Sequence, residues 1–201
     1  MVFQNTKIDA GHNNIIKVRT LLRTKVRYGV DILGMVIKHE GQRVAVLIDV
    51  QNLYHSAKNL YGARVNFEAV LKLGISQRNL IRAFAYVVRT KTGEEKPFFE
   101  ALTKLGIEMR VKDLQEYFGG LKKADWDVGI TVDAIRIAPS IDTIVLASGD
   151  GDFLQLIEFL RNQGKRIEVI AFGKSASLKI KEGADEFINL EDNPEKYLFK
   201  K

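Results

Sequence analysis

The sequence predicts an α/β domain, a three-layer sandwich with a mainly parallel central sheet. Two observations carry that expectation. Short apolar runs recur along the chain with helical stretches between them, the rhythm of strand–helix–strand units. The runs are continuous rather than alternating apolar with polar, as strands covered on both faces require. Right-handed crossovers then place helices on both faces of the sheet.

Val-Ala-Val-Leu-Ile at 44–48 opens the sheet without a polar residue. A helical stretch follows at 52–61, with 67–73 as its second half. The next strand spans 80–88, where Ala83, Phe84, Ala85, Tyr86, Val87 and Val88 stand in succession. A helix over 96–105 takes Pro97 in its first turn, where a missing N–H is tolerated, and stops at Gly106. Residues 107–111 form a third strand. A helix over 127–137 is closed by Pro139, a fourth strand spans 143–147, and a helix over 153–163 ends at Gly164. A fifth strand at 167–172, a short helix near 175–182 and a last strand at 186–189 complete the series. The domain therefore spans 41–192, and 193–201 follows as a tail. No internal repeat or low-complexity tract is present.

Residues 1–40 do not join this rhythm. Stretches 15–22 and 30–37 fit a short helix or a strand equally well. The segment holds seven basic residues (Lys7, Lys17, Arg19, Arg23, Lys25, Arg27, Lys38) against three acidic ones (Asp9, Asp31, Glu40), and so carries +4 of the chain's +6. It reads as a basic N-terminal extension, either a solvated tail or an arm that grips nucleic acid. A further reading takes Met35 as the natural translation start, because it stands eight residues before the first strand. Intact mass of the natively expressed protein tests this.

Composition narrows the chemistry. Hydrophobic residues make up 46% of the 201 and charged residues 28%, the balance of a soluble globular chain. No apolar run reaches the ~18 residues of a membrane span, and the start lacks a secretory apolar segment, so a cytoplasmic protein with no membrane partner is expected. There is no cysteine, which excludes disulfides, thiolate metal sites and cysteine nucleophiles, and three histidines are too few for a multi-histidine site. Catalysis has to rest on carboxylates, amides, hydroxyls and lysines.

Ligand sites in such sheets lie beyond the carboxyl ends of the strands, near the switch point of strand order. Three acidic groups fall there. Asp49 directly follows the first apolar run, where it serves either as cap of the next helix or as a buried acid needing compensation, with Asn52 placed to hold it. Asp150 and Asp152 leave the fourth strand inside Ser-Gly-Asp-Gly-Asp at 148–152. A cap and a turn bond explain one of these acids more readily than both, and the two glycines do not make a dinucleotide fingerprint. Asp127 starts a helix, where an acid suits the dipole. Asp133 lies about 240° further around that helix, so it is expected to play a supporting part, as partner of Arg136 or as a more distant acid. Four carboxylates crowded at one edge demand counter-charge, and a hard divalent cation supplies it through oxygen ligands. Metal-assisted phosphodiester hydrolysis accounts together for the acids, the missing cysteine and the surplus positive charge.

At these residues the chain resembles the NYN domain family, specifically its bacterial LabA-like branch, within the PIN-like nuclease superfamily. The resemblance runs from about 43 to 192. It rests on Leu-Ile-Asp-Val-Gln-Asn-Leu-Tyr at 47–54, Lys-Lys-Ala-Asp-Trp-Asp-Val-Gly-Ile-Thr-Val-Asp at 122–133 and Leu-Ala-Ser-Gly-Asp-Gly-Asp-Phe at 146–153. Gly-Lys-Arg-Ile-Glu-Val-Ile-Ala-Phe-Gly at 164–173 and Ala-Asp-Glu-Phe-Ile-Asn-Leu at 184–190 add to it. It implies a PIN-like α/β sandwich and a metal-dependent ribonuclease. Gly151 stands where the family often has serine, and residues 1–40 fall outside the match.

The resemblance implies that Asp49, Asp127, Asp150 and Asp152 are the catalytic acids and hold Mg²⁺ or Mn²⁺. Asn52 and Ser148 then orient the phosphate or a metal-bound water. Lys122, Lys123, Arg89 and Lys91 are expected on the backbone of RNA, single-stranded by preference, and Tyr54, Tyr117, Phe118 and Trp126 are candidates for base stacking. A homo-oligomer is a further partner to test. The alternative is an RNA-binding or regulatory module that keeps the acidic pocket with little turnover. A phosphatase or nucleotide hydrolase ranks third, because no Asp-x-Asp-x-Thr segment or phosphate-cradling loop is present.

Overall fold

The computed structural model describes residues 38–90, 92–116, 122–123 and 125–199. Six parallel strands form the central sheet. Strand β1 (Arg43–Asp49) leads into helix α1 (Val50–Tyr61), the short strand β2 (Arg64–Val65) and helix α2 (Phe67–Ile75). Then come β3 (Asn79–Arg89), α3 (Lys96–Lys104) and β4 (Glu108–Asp113). A two-stranded ribbon, β5 (Gln115–Glu116) and β6 (Lys122–Lys123), precedes α4 (Asp127–Ile137). The second half holds β7 (Thr143–Ala147), α5 (Leu154–Asn162), β8 (Arg166–Ala171), α6 (Leu178–Gly183) and β9 (Glu186–Asn189).

The three layers follow from side-chain parity along β1. Val44, Val46 and Ile48 face one way and pack with α1, α2 and α3, while Ala45 and Leu47 face the other way and pack with α4, α5 and α6. Every one of these β1 side chains is fully buried, which is why the run carries no polar residue. Strand order grows outward from β1 to β3 and β4 on one side and to β7, β8 and β9 on the other. The switch point therefore lies between β1 and β7, and both carry their acids at their carboxyl ends.

Two expectations differ from the structure. Residues 67–73 do not continue α1. Gly62 adopts φ 58° and caps α1, and Asn66 starts α2 anew by accepting from the Ala69 N–H. Pro194 onward is no trailing tail over the described residues. Helix α7 (Pro194–Tyr197) and β10 (Leu198–Phe199) return to pair antiparallel with β2, burying Tyr197 and Leu198. At the opposite, amino edge of the sheet, Glu168 is buried within β8 and takes a forked ion pair from Arg78 at 2.8 Å to each oxygen. Arg166 and Lys38 add to the same carboxylate at 3.0 and 3.5 Å. Among the described residues no helix is long and apolar enough to cross a membrane.

Candidate metal centre

Asp49 ends β1 and is 8% exposed, so its carboxyl oxygens must find partners within the fold. One oxygen accepts from the Asn52 N–H at 3.1 Å, capping α1, and the other accepts from the Ser148 hydroxyl at 3.1 Å. Both roles read from the sequence for Asp49, cap and buried acid, hold at once. Burial pushes its carboxyl up to about 6, against the two hydrogen bonds and with the help of the Asp127 and Asp150 charges.

The turn after β7 is built around the same contacts. The Asn52 side-chain amide oxygen accepts from the Gly149 N–H at 2.9 Å and so ties α1 to the turn. The Asp150 N–H donates to the Ser148 hydroxyl oxygen at 3.3 Å, and Asp150 in turn accepts from the Asp152 N–H at 3.0 Å. Ser148 is fully buried and its hydroxyl is engaged on both sides. Its two bonds hold Asp49 and the turn. A Cβ at Gly151 would meet the Ser177 hydroxyl at 2.7 Å, so Ser177 fills the room that a serine at 151 would need.

Asp127 opens α4 and brings its carboxylate to this edge from the other face of the sheet. Oxygens of Asp127, Asp150 and Asp152 lie within 4.8 Å of one another. Burial raises the Asp127 carboxyl above its ordinary value, and Asp150, Asp125 and Asp152 add to the rise, while Lys112 opposes it. These are hard oxygen donors with an unbalanced negative charge, a set that fits Mg²⁺ or Mn²⁺. Asp49 stands beside this trio, coupled to it by charge.

The remaining sequence candidates divide. Asp133 turns away from the trio: it accepts from Tyr86 at 3.2 Å and from Arg110 at 2.9 Å, with Arg136 at 4.0 Å. Arg89 is exposed and paired with Asp113 at 2.7 Å. Lys122 and Lys123 form β6, in register with Glu116 and Gln115. Lys91, Tyr117, Phe118 and residues 1–37, including Met35, lie outside the described residues. Trp126 donates its ring N–H to the Val87 carbonyl at 2.9 Å and packs on Tyr86 with ring centroids 5.4 Å apart, a structural use.

Sequence reasoning missed Lys112. It sits in β4 opposite Val88, lies 4.6 Å from the centre of the Trp126 ring and donates to the Asp125 carbonyl at 2.7 Å. That places a cation beside Asp127, and only the register of β3 with β4 reveals it. Tyr86 was legible merely as part of an apolar run, although its hydroxyl orients Asp133.

A family profile described as NYN domain matches residues 43–191 of the chain. The chain is 28% identical over 158 residues to "Low amplitude and bright protein LabA" of Synechococcus elongatus, covering 75% of this chain and 84% of that protein. Its fold is similar to the crystal structure of a protein of unknown function from Vibrio parahaemolyticus, with a TM-score of 0.73 at 30% identity. That match covers 82% of this chain and 100% of the other.

Proposed function

Since this chain belongs to the NYN domain family and is LabA-like, we propose that it is a metal-dependent ribonuclease, hydrolysing RNA phosphodiester bonds at the acidic edge of its sheet. The observation that supports the reading best is the convergence of Asp127, Asp150 and Asp152 within 4.8 Å at the switch point, with buried Asp49 beside them. An RNA-binding surface without chemistry gains nothing from anions set against phosphate, whereas a divalent metal needs them.

Asp127, Asp150 and Asp152 would hold Mg²⁺ or Mn²⁺, with Asp49 as a further ligand or as the acid of a bound water. When bound, such an ion polarises the phosphate and lowers the pKa of its water. The chain's own residues do the rest. Ser148 and the Asn52 backbone N–H keep Asp49 in place, and the Asn52 side-chain amide oxygen fixes the turn that carries Asp150. The Asn52 side-chain N–H₂ is then available to a phosphate oxygen. Lys112, beside Asp127, is a phosphate contact nearer the acids than Arg89, which already serves Asp113. Lys122, Lys123 and Lys91 are proposed to contact the RNA backbone as well.

The test is cleavage of a mixed RNA pool with Mg²⁺, with Mn²⁺ and with EDTA, beside Asp150→Asn. Cleavage should need the metal and fall at least a hundredfold in the variant, on the order of a lost charge-stabilising group. Full cleavage in EDTA, or by the variant in Mg²⁺, would remove the assignment. Retained RNA binding without cleavage by the wild type would favour the regulatory module instead.

A further inference from the structure

A groove of about 900 Å³ runs between α1 and α3, on the face of the sheet opposite α4. It begins where the acidic edge ends. Val50 and Gln51, which line it, follow Asp49 directly, and Val87 and Val88 continue β3 beyond Tyr86, the register partner of Asp49. A strand of RNA with a phosphate at the acids would lay a neighbouring nucleotide over this opening.

The lining defines the chemistry of the occupant. Aromatic surfaces come from Tyr54, 40% exposed and edge-on to His55, and from the adjoining Phe98 and Phe99. Arg64 is the one lysine or arginine among the described lining residues, against Glu68 and Glu95. Glu95 supplies the decisive group. One of its oxygens accepts from the Thr90 hydroxyl at 2.6 Å, while the other is buried and meets no side-chain donor among the described residues. The Thr90 hydroxyl, joined by the backbone N–H groups of Glu95 and Thr90, holds the carboxyl below its ordinary value, so the second oxygen is a charged acceptor that an N–H or O–H from outside would satisfy. A planar ring that stacks on aromatic faces and offers an amino group satisfies both features.

We infer that the α1–α3 groove is a nucleobase site, in which an unpaired amino-bearing base of the RNA stacks on the aromatic lining and donates its exocyclic N–H to Glu95. The inference rests on the ribonuclease reading and extends it to base recognition.

The test compares two RNAs of equal length and charge, an oligoadenylate and an oligomer of purine riboside, which is adenosine without its amino group. Binding is measured by fluorescence anisotropy in Mg²⁺ on the Asp150→Asn protein, so that nothing is cut. Oligoadenylate should bind about tenfold tighter, the scale of one hydrogen bond to a charged group. Adding Glu95→Met, which removes the acceptor at similar length, should bring the two within about twofold. Ala101→Trp, which fills the groove from the exposed side of α3, should weaken oligoadenylate while circular dichroism stays unchanged. Equal affinities in the parent protein, or a preference that survives Glu95→Met, overturn the site and leave the groove to a protein partner or to none. Equal affinities together with metal-dependent cleavage by the wild type would remove the groove alone. Failure to bind either oligomer and failure to cleave any RNA would remove the ribonuclease reading, and the groove with it.

Discussion

Asp49 couples stability to pH with a sign opposite to that of most carboxylates. Its carboxyl titrates near 6 in the folded chain and near its ordinary ~3.9 when unfolded, so between those values the folded state keeps a proton that the unfolded state has lost. The favourable contribution is complete below about 4 and disappears as pH rises through about 6. Its size is on the order of 3 kcal/mol. Melting curves in EDTA should show this fall for the wild type. Asp49→Asn, which retains an oxygen to cap α1, should lack it and melt higher at pH 7. Added Mg²⁺ should raise the wild type's melting temperature, and the variant's by less, because the trio of Asp127, Asp150 and Asp152 stays intact. Superimposable pH profiles for the two proteins would contradict the assignment of buried, uncompensated charge to Asp49.

Helix α4 owes its placement to one glycine. A Cβ at Gly129 would lie 2.4 Å from the Trp126 ring, whose N–H is tied to Val87 across the sheet. Gly129→Ala favours the helix by about 1 kcal/mol intrinsically, yet overpacking of this kind typically costs about 1–3 kcal/mol. The variant should therefore be less stable, shift the emission of the single tryptophan and lose cleavage through displaced Asp127. An unshifted spectrum with full activity would mean that the ring moves aside freely. At this scale the sequence was informative where apolar runs end in acids. Asp49, Asp150 and Asp152 follow such ends while Asp127 opens a helix, and the fold's topology carries them to one edge. It was silent where the decisive contact crosses strands: nothing near Lys112 in the chain announces Asp127, and nothing near Ser148 announces Asp49, 99 residues earlier. The Glu95 oxygen was equally hidden, since its burial depends on the groove around it. The ribbon of β5 and β6, and the pairing of β10 with β2, are two-residue strands too short for any periodicity to mark.

The molecule as a whole divides its charges between the two edges of the sheet, acids left uncompensated at the carboxyl edge and an ion network closed at the amino edge. Arg78 and Glu168 are both fully buried side chains, so removing one partner strands the other. Arg78→Met should cost about 3–5 kcal/mol in urea denaturation, and pairing it with Glu168→Leu should recover much of that loss. A double variant no more stable than the single would show that the surrounding Arg166 and Lys38 need the carboxylate. The central position of β1, between β3 and β7, also has a temporal meaning. A ribosome adding about 5–20 residues per second needs roughly 5–20 s to pass from Asp49 to Ser148, 99 positions later. Throughout that interval the emerging chain has β1 open on one side and Asp49 without its serine, and Asp150 and Asp152 do not yet exist. The centre can be assembled only once β7 has left the exit tunnel and docked. Until then a nascent copy lacks the acidic cluster on which cleavage of the proposed kind would depend, whatever RNA lies beside it.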